Sequence, residues 1–298
     1  MVNSNSMKIV LVFISFSFVS ANTSFPGFDI FTSGKRLSLG GAGFLNASAL
    51  SSLVNPSVYS GKYFSVSAIR YPASITNQSA AMVLPFKRGH GHLLISNTSY
   101  GIFQGYSDDA EPTETYNSSD NRIVGSYSYP IYQTPVKLGC SVSFFNSNYG
   151  GHNFKILSFN FGGHWHIQKL NVTVGMSIHQ LGFSFGAANV NFSNTTSMSL
   201  SKKLRYLPSK TYIDITKNSN QIEIFAGIET DVAARVKIFL GTSTRKIEHN
   251  INDNIFKTMT GASGFGFQYT DDSFSIHYGL FMYGTGSIST GFEINISV

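Results

Sequence analysis

The feature that most restricts the fold of this chain is an alternation of apolar and polar residues with period two, recurring in segment after segment. In the last segment Ile288, Thr290, Phe292, Ile294, Ile296 and Val298 fall on one face, and Ser287, Ser289, Gly291, Glu293, Asn295 and Ser297 on the other. Successive side chains of a strand point to opposite faces, so such a segment has one apolar side and one polar side. The pattern returns in 170–179, where Leu170, Val172, Val174, Met176 and Ile178 oppose Asn171, Thr173, Gly175, Ser177 and His179. In 221–229, Ile222, Ile224, Ala226 and Ile228 oppose Glu223, Phe225, Gly227 and Glu229. In 232–241, Val232, Ala234, Val236, Ile238 and Leu240 oppose Arg235 and Lys237, and Phe239 is expected to face inward with them. Further segments near 62–71, 78–87, 91–103, 121–131, 135–145, 154–167, 194–202, 208–217, 260–269 and 272–283 bring the total to about fourteen. Several are about ten residues long, the length of a strand that crosses a bilayer at a tilt.

The first residues fix the compartment. Met7-Lys8 is followed by an apolar run from Ile9 to Val19 and a small-residue exit at Val19-Ser20-Ala21. One positive charge, about a dozen apolar residues and a small-x-small exit describe a secretory signal over 1–21. The run is too short to span a bilayer as a helix, which takes about 20 apolar residues. Cys140 is the only cysteine, which excludes an internal disulfide and a cysteine-based zinc site. A lone thiol of this kind is expected to be a buried small hydrophobe. Charged residues make up 12% of the chain, against about 25% in soluble domains, while it holds 28 Gly, 15 Tyr and 26 Phe. Low charge, many aromatics and export suit a barrel whose outside meets lipid. The connections are uneven as well. Those at 231–233 and 270–272 are tight, whereas 105–120 and 242–257 are long and polar, as in outer-membrane barrels with short periplasmic turns and longer outer loops. The expected fold is all-β, an antiparallel transmembrane barrel of about fourteen strands with a short N-terminal plug. A soluble β-sandwich would alternate too and stays open as an alternative.

The plug is expected over 22–60, with the barrel following at 61–298. Gly34, Gly40, Gly41 and Gly43 alternate with Leu37, Leu39, Ala42 and Leu45, and Ala47 to Leu53 reads as a short helix stopped at Asn55-Pro56. The run Leu37-Ser38-Leu39-Gly40-Gly41-Ala42-Gly43, followed by Asn55-Pro56, resembles the N-terminal segment of the PorV/PorQ family, relatives of the FadL-type outer-membrane transporters. Ser57 stands where that element has alanine. Gly105-Tyr106, Asp108-Asp109, Pro112-Thr113 and the stretch from Asn121 to Tyr129 are similar to a hairpin of PorQ-like proteins, and 221–269 and 272–298 to the family's late hairpins. The chain ends on Val298, whereas outer-membrane proteins usually finish on an aromatic residue. The resemblance implies a fourteen-stranded barrel with an N-terminal hatch formed around Gly40, Gly41, Ala42, Gly43, Asn55 and Pro56. It implies either type IX protein secretion and surface attachment of cargo, with secretion-system proteins as partners, or passage of hydrophobic small molecules. Outer-membrane lipid is a partner on either reading, and a soluble periplasmic β-sheet binding protein is the third.

Little else in the sequence carries chemistry. His164 and His166 share a strand face at a spacing that metal ligands can have, but no cysteine or nearby carboxylate joins them, and a polar lumen wall accounts for them. No Gly-x-Ser-x-Gly turn, ordered triad or phosphate loop occurs, so no catalytic residue, metal or cofactor is expected. The formal charge of +6 shows no basic cluster along the chain and suggests no nucleic-acid partner. Arg235, Lys237, Glu223 and Glu229 are the expected charged residues of the lumen, since ionised groups at membrane depth avoid lipid and seek partners. They form either a structural ion-pair ladder or a selectivity lining.

Overall fold

The computed structural model describes residues 30–50, 53–149, 152–186, 194–218, 222–244, 262–283 and 287–297. The expected signal at 1–21 lies outside them. Fourteen strands follow one another: β1 (Tyr63–Arg70), β2 (Thr76–Phe86), β3 (Gly89–Tyr106), β4 (Pro112–Pro130), β5 (Val136–Tyr149), β6 (His152–Ile167) and β7 (Val172–Gly186). Then come β8 (Thr195–Lys203), β9 (Ser209–Lys217), β10 (Ile222–Ala233), β11 (Val236–Ser243), β12 (Ser263–Thr270), β13 (Phe274–Met282) and β14 (Ile288–Ser297). Each pairs antiparallel with its chain neighbours, and β1 pairs with β14, so the sheet closes into a barrel with no free edge.

The alternation sets which side faces out. On β14, Ser289, Gly291 and Glu293 are buried while Ile288, Phe292 and Ile296 are exposed. On β10 and β11, Phe225 and Phe239 point in and Ile224 and Leu240 point out. The exterior is therefore a continuous apolar surface, with Ile95, Ile123, Phe161, Phe267 and their like uncovered. In water such a surface would drive aggregation; in a bilayer it is the solvated face. Cys140 belongs to that exterior and is exposed, not buried as expected, because β5 turns Ser141 and Ser143 inward on either side of Val142.

Two connections differ from expectation. The stretch 105–120 is not a long loop: β3 and β4 continue past the barrel rim as a paired hairpin, Phe103 opposite Tyr116, and turn at 107–111. The hairpin between β10 and β11 turns at Ala234-Arg235 rather than at 231–233, so Val232 lies on β10. The stretch 245–257 lies outside the described residues. At one end of the barrel the connections are short, two residues at Lys87-Arg88 and two at Ala234-Arg235. This is the turn end; the opposite one is the loop end. Among the irregularities of the wall, the register of β6 and β7 shifts between Phe159 and Phe161. There Gln180 takes a left-handed conformation, φ 64°, and its N–H donates to Asn160 Oδ1 at 2.8 Å.

Inside the barrel lies the N-terminal plug. Among its described residues the α-helix is α1 (Gly34–Ser38), a single turn capped by the Ser33 hydroxyl, which accepts from the N–H groups of Lys35 and Arg36. The expected helix over 47–53 is not found among its described residues: 47–48 are irregular, 49–50 form a turn and 53 a bend. The apolar run there buries Ala49, Leu50 and Leu53 against Ala81, Val83, Leu94 and Val124 of the wall without helical periodicity.

Candidate functional site

The plug packs directly on the wall backbone at a series of glycines, where a Cβ would collide with its backbone or side chains. A Cβ at Gly279 of β13 would lie 2.2 Å from Gly34 O, one at Gly266 of β12 2.5 Å from Ser38 Cβ, and one at Gly241 of β11 1.9 Å from the Leu39 carbonyl. Further round, a Cβ at Gly175 of β7 would meet Leu45 at 2.5 Å, one at Gly162 of β6 Asn55 Oδ1 at 2.3 Å, and one at Gly139 of β5 Pro56 at 2.3 Å. The glycine contacts thus form a track that follows the inner wall in reverse strand order from Gly34 to Leu45 and again at Asn55-Pro56, while Ser48, Ala49, Leu50 and Leu53 cross to β14 and β2–β4. The plug's own Gly40, Gly41 and Gly43 have φ of 64°, 95° and 96°, the left-handed turns that let the chain follow the curve. Between them Ala42 is fully buried beside Leu39, Phe44, Tyr212, Phe225 and Phe239.

Three wall carboxylates hold this track. Glu293 of β14, wholly buried, accepts from the Ser33 hydroxyl at 2.6 Å, the Ser48 hydroxyl at 3.1 Å and the Lys35 N–H at 3.3 Å. Asp214 of β9 accepts from the N–H groups of Gly43 at 2.6 Å and Phe44 at 3.3 Å. Glu229 of β10 pairs with Lys35 at 3.3 Å and accepts from the Tyr212 hydroxyl at 3.0 Å. Burying an ionised group is tolerable only with such partners. On the far side Asn55 donates to Gly163 O at 3.3 Å and accepts from Ser57 N–H and Oγ, and Pro56 opens a 3-10 turn, Pro56–Val58. The Ser57 hydroxyl, where the resembled element has alanine, also lies 2.8 Å from His164 Nδ1.

Of the expected lumen charges the structure brings together two. Lys237 lies 3.9 Å from Glu229 and 3.1 Å from Asp231. Arg235 is not in the lumen: it occupies the exposed β10–β11 turn and pairs with Asp271 at 2.8 Å, because the turn falls two residues later than the alternation suggested. Glu223 faces inward but lies at the loop-end start of β10, six residues from Glu229 along the strand. Glu293 and Asp214 were not singled out from the sequence. Their signal was available, a lone carboxylate on the polar face of a strand between apolar neighbours, Phe292 and Ile294 in one case and Ile213 and Ile215 in the other.

The plug divides the lumen. Toward the loop end its first described residues, Ile30 and Phe31, join Ile69, Tyr71, Phe281 and Tyr283 in an apolar cluster, with Phe31 and Phe281 in edge-to-face contact at 5.6 Å. Toward the turn end are two polar cavities. One, about 400 Å³, is bordered by Leu45, Val58, Lys137, His164 and His166; the other, about 250 Å³, by Lys35, Ser48, Glu293 and Asn295. Among the described residues no group of three His, Cys, Asp or Glu side chains is placed to hold a metal.

The class these features define is an outer-membrane β-barrel with an internal plug. No family model matches the chain, and no curated protein matches it in sequence. Solved structures do resemble it. The deltaS2S3 mutant of the TodX monoaromatic hydrocarbon channel is 13% identical, with a TM-score of 0.56 over 91% of this chain and 100% of that one. The toluene transporter TodX of P. putida is 10% identical, with a TM-score of 0.53 over 90% and 97%. A FadL homologue of Pseudomonas aeruginosa is 10% identical, with a TM-score of 0.54 over 89% and 97%. The likeness to these three structures is one of fold. Nothing in it points to PorV/PorQ proteins.

Proposed function

We propose that this chain is a non-enzymatic outer-membrane channel for hydrophobic small molecules, held shut by its plug, with the turn end toward the periplasm. The observation that carries the reading is the apolar cluster at the loop-end side of the plug, around Phe31, Tyr71 and Phe281. A pore for hydrophilic solutes has a polar, water-filled interior, whereas the loop-end part of this lumen is filled by a packed cluster of buried aromatic and aliphatic side chains. The solved structures of similar fold include a channel described as one for monoaromatic hydrocarbons, which supports the same reading. The type IX secretion reading has no comparable support, and a closed barrel with an apolar exterior gives none to a soluble periplasmic protein.

The test is uptake by cells. A strain expressing the chain should take up a labelled monoaromatic hydrocarbon faster than one lacking it, with no change for a labelled sugar. Equal uptake of the hydrocarbon by both strains, or faster uptake of the sugar, would overturn the proposal.

A further inference from the structure

Cations that are dispersed along the sequence meet on the closed barrel. Between Asp120 and Asp214 the chain contains no carboxylate but eight lysines and arginines. Folding gathers four of them on one arc of the turn end: Lys169 in the β6–β7 turn, Lys202 and Lys203 at the end of β8, and Arg205 in the β8–β9 turn. Val172 pairs with Lys202, and Lys203 N–H donates to Asn171 O at 3.1 Å, which fixes the β6–β7 turn against the end of β8. All four side chains are exposed, and none has an ion-pair partner among the described residues.

What surrounds them identifies the anion that fits. Trp165, Leu170, Tyr206 and Leu207 are 51, 62, 90 and 59% exposed on the same arc. Trp165 stands on the outward face of β6, level with the apolar wall, and the Arg205 guanidinium lies 5.9 Å from the ring of Tyr206. Exposed aromatics between an apolar band and a row of cations mark the headgroup level of a membrane. Here a soluble anion would meet the cations but leave the aromatics bare. A lipid satisfies both, with its phosphate among the cations and its chains along Trp165 and Leu170. We propose that the β6–β8 arc of the turn end is a docking surface for anionic phospholipid headgroups, selected by Lys169, Lys202, Lys203 and Arg205.

The chain supplies its own probe, because Trp165 is its only tryptophan. The protein is refolded into phosphatidylcholine vesicles containing a minor share of either brominated phosphatidylglycerol or brominated phosphatidylcholine, and quenching of Trp165 is read. The anionic lipid should associate about fivefold more strongly at low salt, the equivalent of the ~1 kcal/mol that one basic side chain contributes at an anionic surface. The preference should vanish in about 1 M salt, where the screening length falls to about 3 Å. It should also vanish when Lys169, Lys202, Lys203 and Arg205 are all changed to Glu, or to Gln if the Glu variant does not refold. Changing Lys155 and Lys217, exposed cations nearer the loop end, to Glu should leave it intact. Equal quenching by the two lipids in the parent chain would overturn the proposal, as would a preference that survives loss of the four cations. Equal quenching together with retention of the parent chain on an immobilised acidic protein would assign the patch to a protein partner instead.

Discussion

A single methyl group at Gly241 has nowhere to go, because it would overlap the Leu39 carbonyl. Gly241→Ala is therefore expected to unseat the plug by overpacking, at about 1–3 kcal/mol, while the barrel itself assembles. Single-channel conductance in planar bilayers should rise. Gly125→Ala, whose Cβ would meet nothing within 4 Å, should leave it unchanged, and identical behaviour of the two variants would count against the glycine track. A second pair of residues separates the two faces of one strand. Ile238 faces lipid, and Ile238→Lys should cost about 2–4 kcal/mol in refolding assays if it lies near the bilayer midplane. Phe239 faces inward, as the alternation indicates, and a lumen-facing position of that kind would be expected to tolerate polar substitution. Phe239 is also wholly buried against Leu39 and Phe44, so a polar group there should loosen the plug while sparing the lipid-facing wall. Phe239→Ser should therefore raise conductance without impairing assembly. An assembly defect equal to that of Ile238→Lys would show that the strand's facing is misassigned.

Among the elements, the strands were legible and the plug was only partly so, for one physical reason. A strand in a barrel wall has two different environments on its two sides, so its sequence carries the period of the pleat. The plug is enclosed on all sides, and enclosure imposes size rather than period. Its glycines and its Asn55-Pro56 stop could be read, but the apolar run over 47–53 looked helical only because burial without a direction leaves no pattern to say otherwise. Nor could the wall glycines be read as a track, since Gly139, Gly162, Gly241 and Gly279 are scattered over four strands and line up only after closure. Deleting 34–56 should turn a nearly closed barrel into a conducting one, because this stretch carries most of the contacts that seat the plug. Unchanged conductance in a correctly folded deletion would show that the lumen is blocked by something else.

For the whole molecule, closure matters more than any one contact. A barrel with no edge strand has every ladder satisfied, and its apolar exterior can be solvated only by lipid or detergent. The protein should fractionate with the outer membrane and migrate differently on gels when boiled. Recovery from the soluble periplasm without detergent would contradict the structure. The plug adds a constraint of sequence and time. Thr32 O accepts from Ser67 on β1 and the Ser33 hydroxyl donates to Glu293 on β14, so adjacent plug residues bridge the seam between the first and last strands. Ser33 and Glu293 are 260 residues apart in the chain. A segment synthesised near the beginning must therefore wait, unseated, until the last strand is in place. Its docking can occur only on a finished cylinder, so a misregistered or incomplete barrel stays leaky, and the seated plug certifies a completed one.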